Sequence, residues 1–186
     1  MLFARSLILA CLTVTATAID IHWYRNRGCS GSYGRCTNMP ASGCCTLIPQ
    51  DVNSAVSWNN IPTDQNIIAQ GYWQEGCSGN IAGSGRSNYL SSLCFPTPQY
   101  RGAKYHTING LRHTNTEENP AETEAPCRKP DVLVFEDGHE FNLTDLNEEQ
   151  YSEVVCISFC AFESYKNFMS GGSSSEVETF FAALDI

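Results

Sequence analysis

Tyr24-Arg25-Asn26-Arg27-Gly28-Cys29-Ser30-Gly31 and Tyr72-Trp73-Gln74-Glu75-Gly76-Cys77-Ser78-Gly79 are two copies of one pattern, Y-x-x-x-G-C-S-G, set 48 residues apart. A tyrosine, six intervening residues and a glycine suggest a folded-over hairpin. The ring would cover a glycine holding a backbone conformation that other residues resist. Two copies predict two related motifs, each with a cysteine at its hairpin.

The sequence around the copies reads as short strands. Ile19–Tyr24 alternates and is rich in β-branched and aromatic residues, and it runs into the first copy. Ser54–Trp58 is a second strand, Ile67–Trp73 a third that enters the second copy, and Leu90–Phe95 and Lys104–Ile108 complete the set. Arg25–Gly34 is turn-like, and Cys36–Cys45, with Pro40 and Gly43, is expected to be irregular and stapled. If the Cys44-Cys45 pair is extended, its side chains point to opposite faces and seek different partners. Gly79–Ser87 is glycine-rich, but no lysine follows and no helix is signalled, so it is expected to be a structural loop and not a phosphate cradle. With no helical period before Arg112, the fold class is mainly β, an antiparallel sandwich.

The stretch Trp23–Gly31 resembles the Tyr-x6-Gly hairpin of the βγ-crystallins. Asn53-Ser54 is similar to the serine that opens a later strand of a crystallin Greek key and bonds back over the hairpin, and Ser91 or Ser92 takes that place in the second motif. The layout, with its Cys-Cys pair and Gly102–Tyr105 close, is also similar to small secreted cysteine-rich fungal proteins. The resemblance covers Ile19 to about Asn109. It implies a Greek-key sandwich of βγ-crystallin type, and a role like that of microbial killer toxins, inhibitors or fungal effectors. Crystallin-type modules often bind calcium through D/N-D/N-x-x-S/T-S. Ser87-Asn88-Tyr89-Leu90-Ser91-Ser92 matches all but the first position, making Asn88 and Ser91 a calcium half-site, whereas Pro49–Ser54 lacks both leading acids or amides. Calcium takes six to eight oxygens, so serines closing the hairpin are the preferred reading and no cofactor is expected.

Residues 1–18, with Arg5, an apolar run Leu7–Val14 and Ala16-Thr17-Ala18, read as a cleaved secretory signal. The run is far short of the ~20 residues a membrane span needs. Cys11 leaves with it. Cys29, Cys36, Cys44, Cys45, Cys77, Cys94, Cys127, Cys156 and Cys160 remain as disulfide candidates, an odd number, so one thiol stays free or pairs with another molecule. Asn142-Leu143-Thr144 is the single glycosylation sequon.

Charge divides the chain. Residues 19–112 hold seven Arg/Lys against four Asp/Glu, a net +3, and residues 113–186 hold three against sixteen, a net −13. The strong field is negative, which excludes nucleic acid. The expected organisation is a disulfide-stapled sandwich over 19–112, an acidic proline-containing linker over 113–126, and an acidic module of a hairpin plus two helices over 127–186 that docks on the sandwich as a removable cover. Val132–Glu136 and His139–Leu143 flank Asp137-Gly138, a two-residue turn that sets Val132, Val134, Phe141 and Leu143 on one face, with Leu133, Phe135, Glu140 and Asn142 on the other. Asn147 and Gln150 have capping-box spacing before an amphipathic helix ending near Gly171, and Ser175 and Glu178 repeat it.

For function, Glu136 and His139 would be neighbours across that turn, an acid/base pair of the kind a secreted ribonuclease uses, though at an exposed hairpin tip with no cleft indicated. There is no G-x-S-x-G elbow and no H-E-x-x-H. The leading reading is a secreted extracellular protein that binds another protein or a glycan, with Tyr72 and Trp73 as an aromatic contact patch and Trp58 in the core. The alternatives are a small secreted hydrolase and a structural extracellular protein.

Overall fold

In β1 (Ile19–Tyr24), Ile19, Ile21 and Trp23 turn into the core, while Asp20, His22 and Tyr24 take the opposite face. The computed structural model describes residues 18–47, 54–108 and 127–160. After β1 come β2 (Tyr33–Met39), β3 (Cys45–Thr46), β4 (Ser54–Asn59), β5 (Ile67–Tyr72), β6 (Ile81–Arg86), β7 (Leu93–Tyr100), β8 (Gly102–Thr107), β9 (Val132–Val134), β10 (Glu140–Asn142) and helix α1 (Glu148–Cys160). All the strand pairs are antiparallel. One sheet runs β10-β9-β2-β1-β4-β7 and the other β3-β8-β5-β6. The four strands β1 to β4 and the four strands β5 to β8 thus trade their third members: β3 lies against β8, and β7 against β4.

Trp23, Trp58, Val56 and Met39 from the first sheet meet Ile67, Ala69, Ala103 and Tyr105 from the second in one buried cluster. Trp58 packs edge-on to Phe95 at 4.8 Å. Burial raises the Tyr105 phenol to a pKa of about 12, and its hydroxyl donates to Met39 O at 2.8 Å.

Two strands lie where turns or loops were expected. β6 reads as a loop because of Gly83 and Gly85, yet these glycines make room for rings. A Cβ on Gly83 would fall 2.7 Å from Tyr100 Oη, and one on Gly85 would fall 3.1 Å from Phe95 Cε1. β2 hides its alternation because two of its three buried residues are Gly34 and Cys36, which give no apolar strand signal, and a bulge breaks the register opposite Ile19 and Ile21.

The β9–β10 hairpin is out of its expected register by one residue. Val134 pairs with Glu140 and Leu133 with Phe141. Phe135 N–H donates to His139 O at 2.9 Å, leaving Glu136-Asp137-Gly138 as a three-residue loop with Gly138 at φ 87. A glycine in the left-handed region at the last position is the bulged three-residue hairpin, and the extra residue reverses the faces relative to a two-residue turn. Leu133 and Phe141 therefore share a face, and Glu136 and His139 are not cross-strand neighbours.

Residues 127–160, expected within a separate module, share the core of the sandwich through Leu133, Leu143, Tyr151, Val154 and Val155. They close the same side of both sheets. Arg128 bridges Cys45, with its N–H on Cys44 O and its carbonyl accepting from Thr46 N, both at 2.8 Å, and β9 then pairs with β2. Asn147 and Gln150 make the expected capping box, Gln150 N–H to Asn147 Oδ1 at 3.0 Å and Asn147 N–H to Gln150 Oε1 at 3.2 Å. The expected linker and terminal helix lie outside the described residues.

Three disulfides join Cys29 to Cys94, Cys36 to Cys45 and Cys44 to Cys77, so the adjacent pair does take different partners. Cys127 is free and exposed. Replacing either long-range pair by serines should cost roughly 2–5 kcal/mol. Sequence separations of 65 and 33 differ about twofold, so loss of Cys29–Cys94 should cost about 0.6 kcal/mol more than loss of Cys44–Cys77. Urea midpoints of the two double variants measure this, and the opposite order would show that loop closure does not set the difference.

Candidate functional site

The two copies of the repeat adopt the same backbone. Gly28, Cys29 and Gly31 have φ of 83°, 51° and 85°, and Gly76, Cys77 and Gly79 have 67°, 50° and 69°. The tyrosine rings do not fill the space beside the closing glycines. At Gly31 a Cβ would meet Asn26 Nδ2 and Glu136 Oε1, both at 3.0 Å, and at Gly79 it would meet Gln74 Oε1 at 2.7 Å. Asn26 and Gln74 hold the same place in the repeat, so the working pattern is Y-x-[N/Q]-x-G-C-S-G. Each tyrosine instead turns to the outer face of its sheet and bonds the residue two positions before it: Tyr24 Oη lies 3.2 Å from His22 Nδ1, and Tyr72 Oη donates to Gln70 Oε1 at 2.9 Å.

On the first sheet this builds a polar and aromatic cluster. His22 stacks on Tyr33 with ring centroids 4.3 Å apart and planes 9° apart, and Tyr24 lies 5.1 Å from Tyr33. Arg35, opposite His22 in the ladder, donates both terminal nitrogens to Glu140 at 3.0 and 2.8 Å. That bidentate pair occupies both charges. Burial drives the His22 pKa down to about 4, with Arg35 adding to the drop and Asp20 and Glu140 opposing it, and Nε2 is buried without a hydrogen-bond partner. The imidazole is therefore neutral at pH 7.

The second sheet carries a chain from Ser42 to Gln70. Ser42 Oγ lies 3.0 Å from His106 Nδ1, and His106 Nε2 lies 3.2 Å from Gln70 Oε1. With Gln70 Oε1 as acceptor, Nε2 carries the proton and Nδ1 accepts from the serine, the order a nucleophile and its base require. Ser42 has φ 65, a strained position for a residue with a side chain. Its own N–H is bonded to Tyr105 O at 2.7 Å and the Gly43 N–H to Pro40 O at 3.0 Å, so neither donor is aimed at a developing oxyanion.

Of the residues singled out from sequence, Trp58 is fully buried as expected. Tyr72 is 5% exposed and Trp73 50%, so they do not form a shared contact patch. Lys104 Nζ covers the Tyr72 ring at 5.3 Å. Ser54 Oγ is buried without a partner and makes no bond back over the hairpin. Gly102, not Ser91 or Ser92, opens β8, the strand that corresponds to β4; a Cβ there would strike Cys77 N at 2.7 Å. Asn88 and Ser91 lie in and just after the turn that follows β6. Ser87 Oγ and Asn88 N–H both donate to Asn66 Oδ1, at 3.2 and 3.0 Å, and Asn88 and Tyr89, at φ 50° and 64°, form a tight turn closed by Leu90 N–H to Ser87 O at 2.9 Å. Among the described residues no group of three His, Cys, Asp or Glu could hold a metal ion. Asn142 is exposed on β10, with Thr144 N–H donating to its Oδ1 at 2.8 Å. Cys156 and Cys160 lie on α1.

Sequence reasoning missed that the exposed apolar side chains fall around β6. The exposed large apolar side chains among the described residues are Trp73, Ile81, Tyr89 and Leu90, at 47–60% exposure. Ile81 begins β6, Trp73 stands in the connection leading to it, and Tyr89 and Leu90 follow it. The signal was present in the second repeat, where Trp73 and Ile81 replace Arg25 and Tyr33 of the first.

These features define a cysteine-rich, mainly β domain with three disulfides. Residues 20–131, more than half of the chain, match the model of the family ARB_05566_N, described as an N-terminal domain, and the chain belongs to that family. The match spans β1 to β8 and stops before β9. No curated protein and no solved structure matches the chain. Among the described residues, no helix is long and apolar enough to cross a membrane.

The fold holds His22 neutral, so as pH falls below 6.5 the unfolded chain takes up the proton first. The stability that depends on neutrality is whole above pH 6.5 and is lost progressively down to about pH 4. The loss should reach roughly 3 kcal/mol. Denaturant unfolding at pH 7, 5.5 and 4 should show a steeper fall for the wild type than for His22→Gln. Parallel curves would refute this assignment.

Proposed function

We propose that this protein is a secreted binding module that acts on an extracellular protein or glycan without catalysis. One observation carries the reading: among the described residues, the exposed large apolar side chains Trp73, Ile81, Tyr89 and Leu90 all fall within residues 73–90, around a single strand. Scattered apolar residues on a surface are ordinary, whereas four large ones around one strand suit a partner. The disulfide Cys44–Cys77 and the left-handed backbone at Gly76 and Cys77 hold the start of this surface, and a surface fixed in advance loses less entropy on binding.

The three disulfides favour an oxidising, extracellular setting. The crystallin-type reading is supported by the exchange of third strands between two four-strand halves and by the shared backbone of the repeats. With that reading goes an effector-like or antimicrobial, killer-toxin-like role in a fungal setting.

A hydrolase is the second reading, and the Ser42–His106–Gln70 chain favours it over the Glu136–His139 pair. Capture from candidate host and microbial extracts, with wild type beside a Trp73→Ser, Tyr89→Ser, Leu90→Ser variant, decides between them. A specific set of captured proteins or glycans that the variant loses supports binding. An unchanged profile removes the reading. Hydrolysis of RNA, glycans or esters by the pure protein, abolished in Ser42→Ala and His106→Ala, would put catalysis in its place.

A further inference from the structure

β2 and β6 occupy equivalent places, each the second strand of its half and each at the rim of its four-strand set. On β2 that rim is filled. β9 pairs antiparallel with Tyr33, Gly34 and Arg35, bringing Leu133 and Val134 under cover, and β10 supplies Glu140 to the Arg35 guanidinium. Among the described residues, β6 pairs with β5 alone.

An open rim usually carries some protection against a further strand, such as proline, a bulge or an inward charge. β7, on the same side of the sandwich, has Pro96 and Pro98, and Gly28 N–H occupies Pro96 O at 3.1 Å. β6, Ile81-Ala82-Gly83-Ser84-Gly85-Arg86, has no proline and no charge turned inward, and although a bulge at Ala82 shifts its register with β5, β2 has a register shift as well and still receives β9. Arg86 is exposed and makes no ion pair among the described residues, unlike Arg35 on β2. Apolar side chains flank both ends of the strand. At the equivalent rim the chain accepts an extended apolar strand, β9, with the carboxylate for Arg35 supplied from β10 beyond it; Arg86 lies further along β6 than the place of Arg35, which the repeat aligns with Gly83, and adds a charge that an acidic residue would complement.

We propose that β6 receives an extended strand from another protein, antiparallel to it, whose apolar residues meet Ile81, Tyr89 and Leu90 and whose acidic residue meets Arg86. This rests on the binding-module reading and specifies how the partner is held: main-chain bonds to the β6 rim give affinity, and the flanking side chains select the sequence. A second copy of the chain fits less well. Two β6 strands paired about a twofold axis would set each Arg86 beside the other copy's Ile81, and β6 itself has no acidic residue to meet it.

The test uses the full chain and a synthetic peptide of its own residues 131–143, the sequence that already adds to β2. Backbone amide exchange is followed as the peptide is titrated. Amides of residues 81–86 should slow by about tenfold or more at saturation. The effect should persist in Arg86→Lys and be lost in Arg86→Glu and Ile81→Glu, whose exposed positions leave exchange in the core strands unchanged. No slowing at 81–86, or slowing only at 93–100 or 132–142, overturns the proposal. So does protection of 81–86 that rises with protein concentration without peptide, which would assign the rim to a second copy. If the Trp73, Tyr89 and Leu90 variant loses its captured partner while 81–86 stay unprotected, strand addition fails and the binding reading stands. If capture is also unchanged, both fail.

Discussion

The exchange of third strands between the two halves is the constraint on which the rest of the structure depends, and two disulfides lock it in equivalent places. Cys29, in the hairpin of the first repeat, reaches Cys94 on β7, the strand the second half lends to the first sheet. Cys77, in the hairpin of the second repeat, reaches Cys44, beside β3, the strand lent the other way. Both hairpin cysteines sit at positive φ, where a residue with a Cβ is strained by about 1–2 kcal/mol. The preceding glycines add a second tie. Gly28 N–H donates to Pro96 O and Gly76 N–H to Thr46 Oγ1, both at 3.1 Å, each two residues beyond the bonded cysteine. The cross-link and the tie together hold a backbone conformation that neither hairpin would adopt by itself.

This arrangement explains which parts of the fold were legible in the sequence. The repeat announced two related halves because the left-handed glycines and the cysteine between them are demanded locally. β1, β4 and β5 were legible because one of their faces is buried and their apolar residues alternate. β6 was not, because Gly83 and Gly85 are there for Tyr100 and Phe95, residues ten or more positions away whose rings no local pattern reveals. The hairpin register failed for a related reason. Asp137-Gly138 can serve either a two-residue or a three-residue turn, and the choice is made by packing Leu133 and Phe141 on the same side. The α1 capping box, entirely local, was read correctly.

Site residues followed the same division. Trp58 could be placed in the core from its alternating strand. Tyr72 and Trp73 are adjacent in sequence, but the end of β5 falls between them, so one is covered by Lys104 while the other stands free. Ser42, His106 and Gln70 come from a turn and two neighbouring strands, 64 and 36 residues from one another along the chain, and only the β5–β8 register brings them together. His22 is similar: its neutral ring depends on stacking against a strand that the sequence presented as a turn.

Where the halves differ matters more than where they agree. Asp131 shows how the first half recruits its cover. Its Oδ1 accepts from Thr37 N at 2.9 Å, its Oδ2 takes the Thr37 hydroxyl, and its own N–H donates to Arg35 O at 2.8 Å, so one residue fastens the incoming segment to the rim of β2 before β9 begins. From there the chain can pair along β2 with little further loss of freedom, since the first fixed contact bears most of the closure cost. The second half has no such clamp among the described residues, and its rim carries apolar side chains where the first carries Arg25 and Tyr33. In this duplicated framework, among the described residues, one rim is filled by β9 while the other meets no further strand and is flanked by apolar side chains.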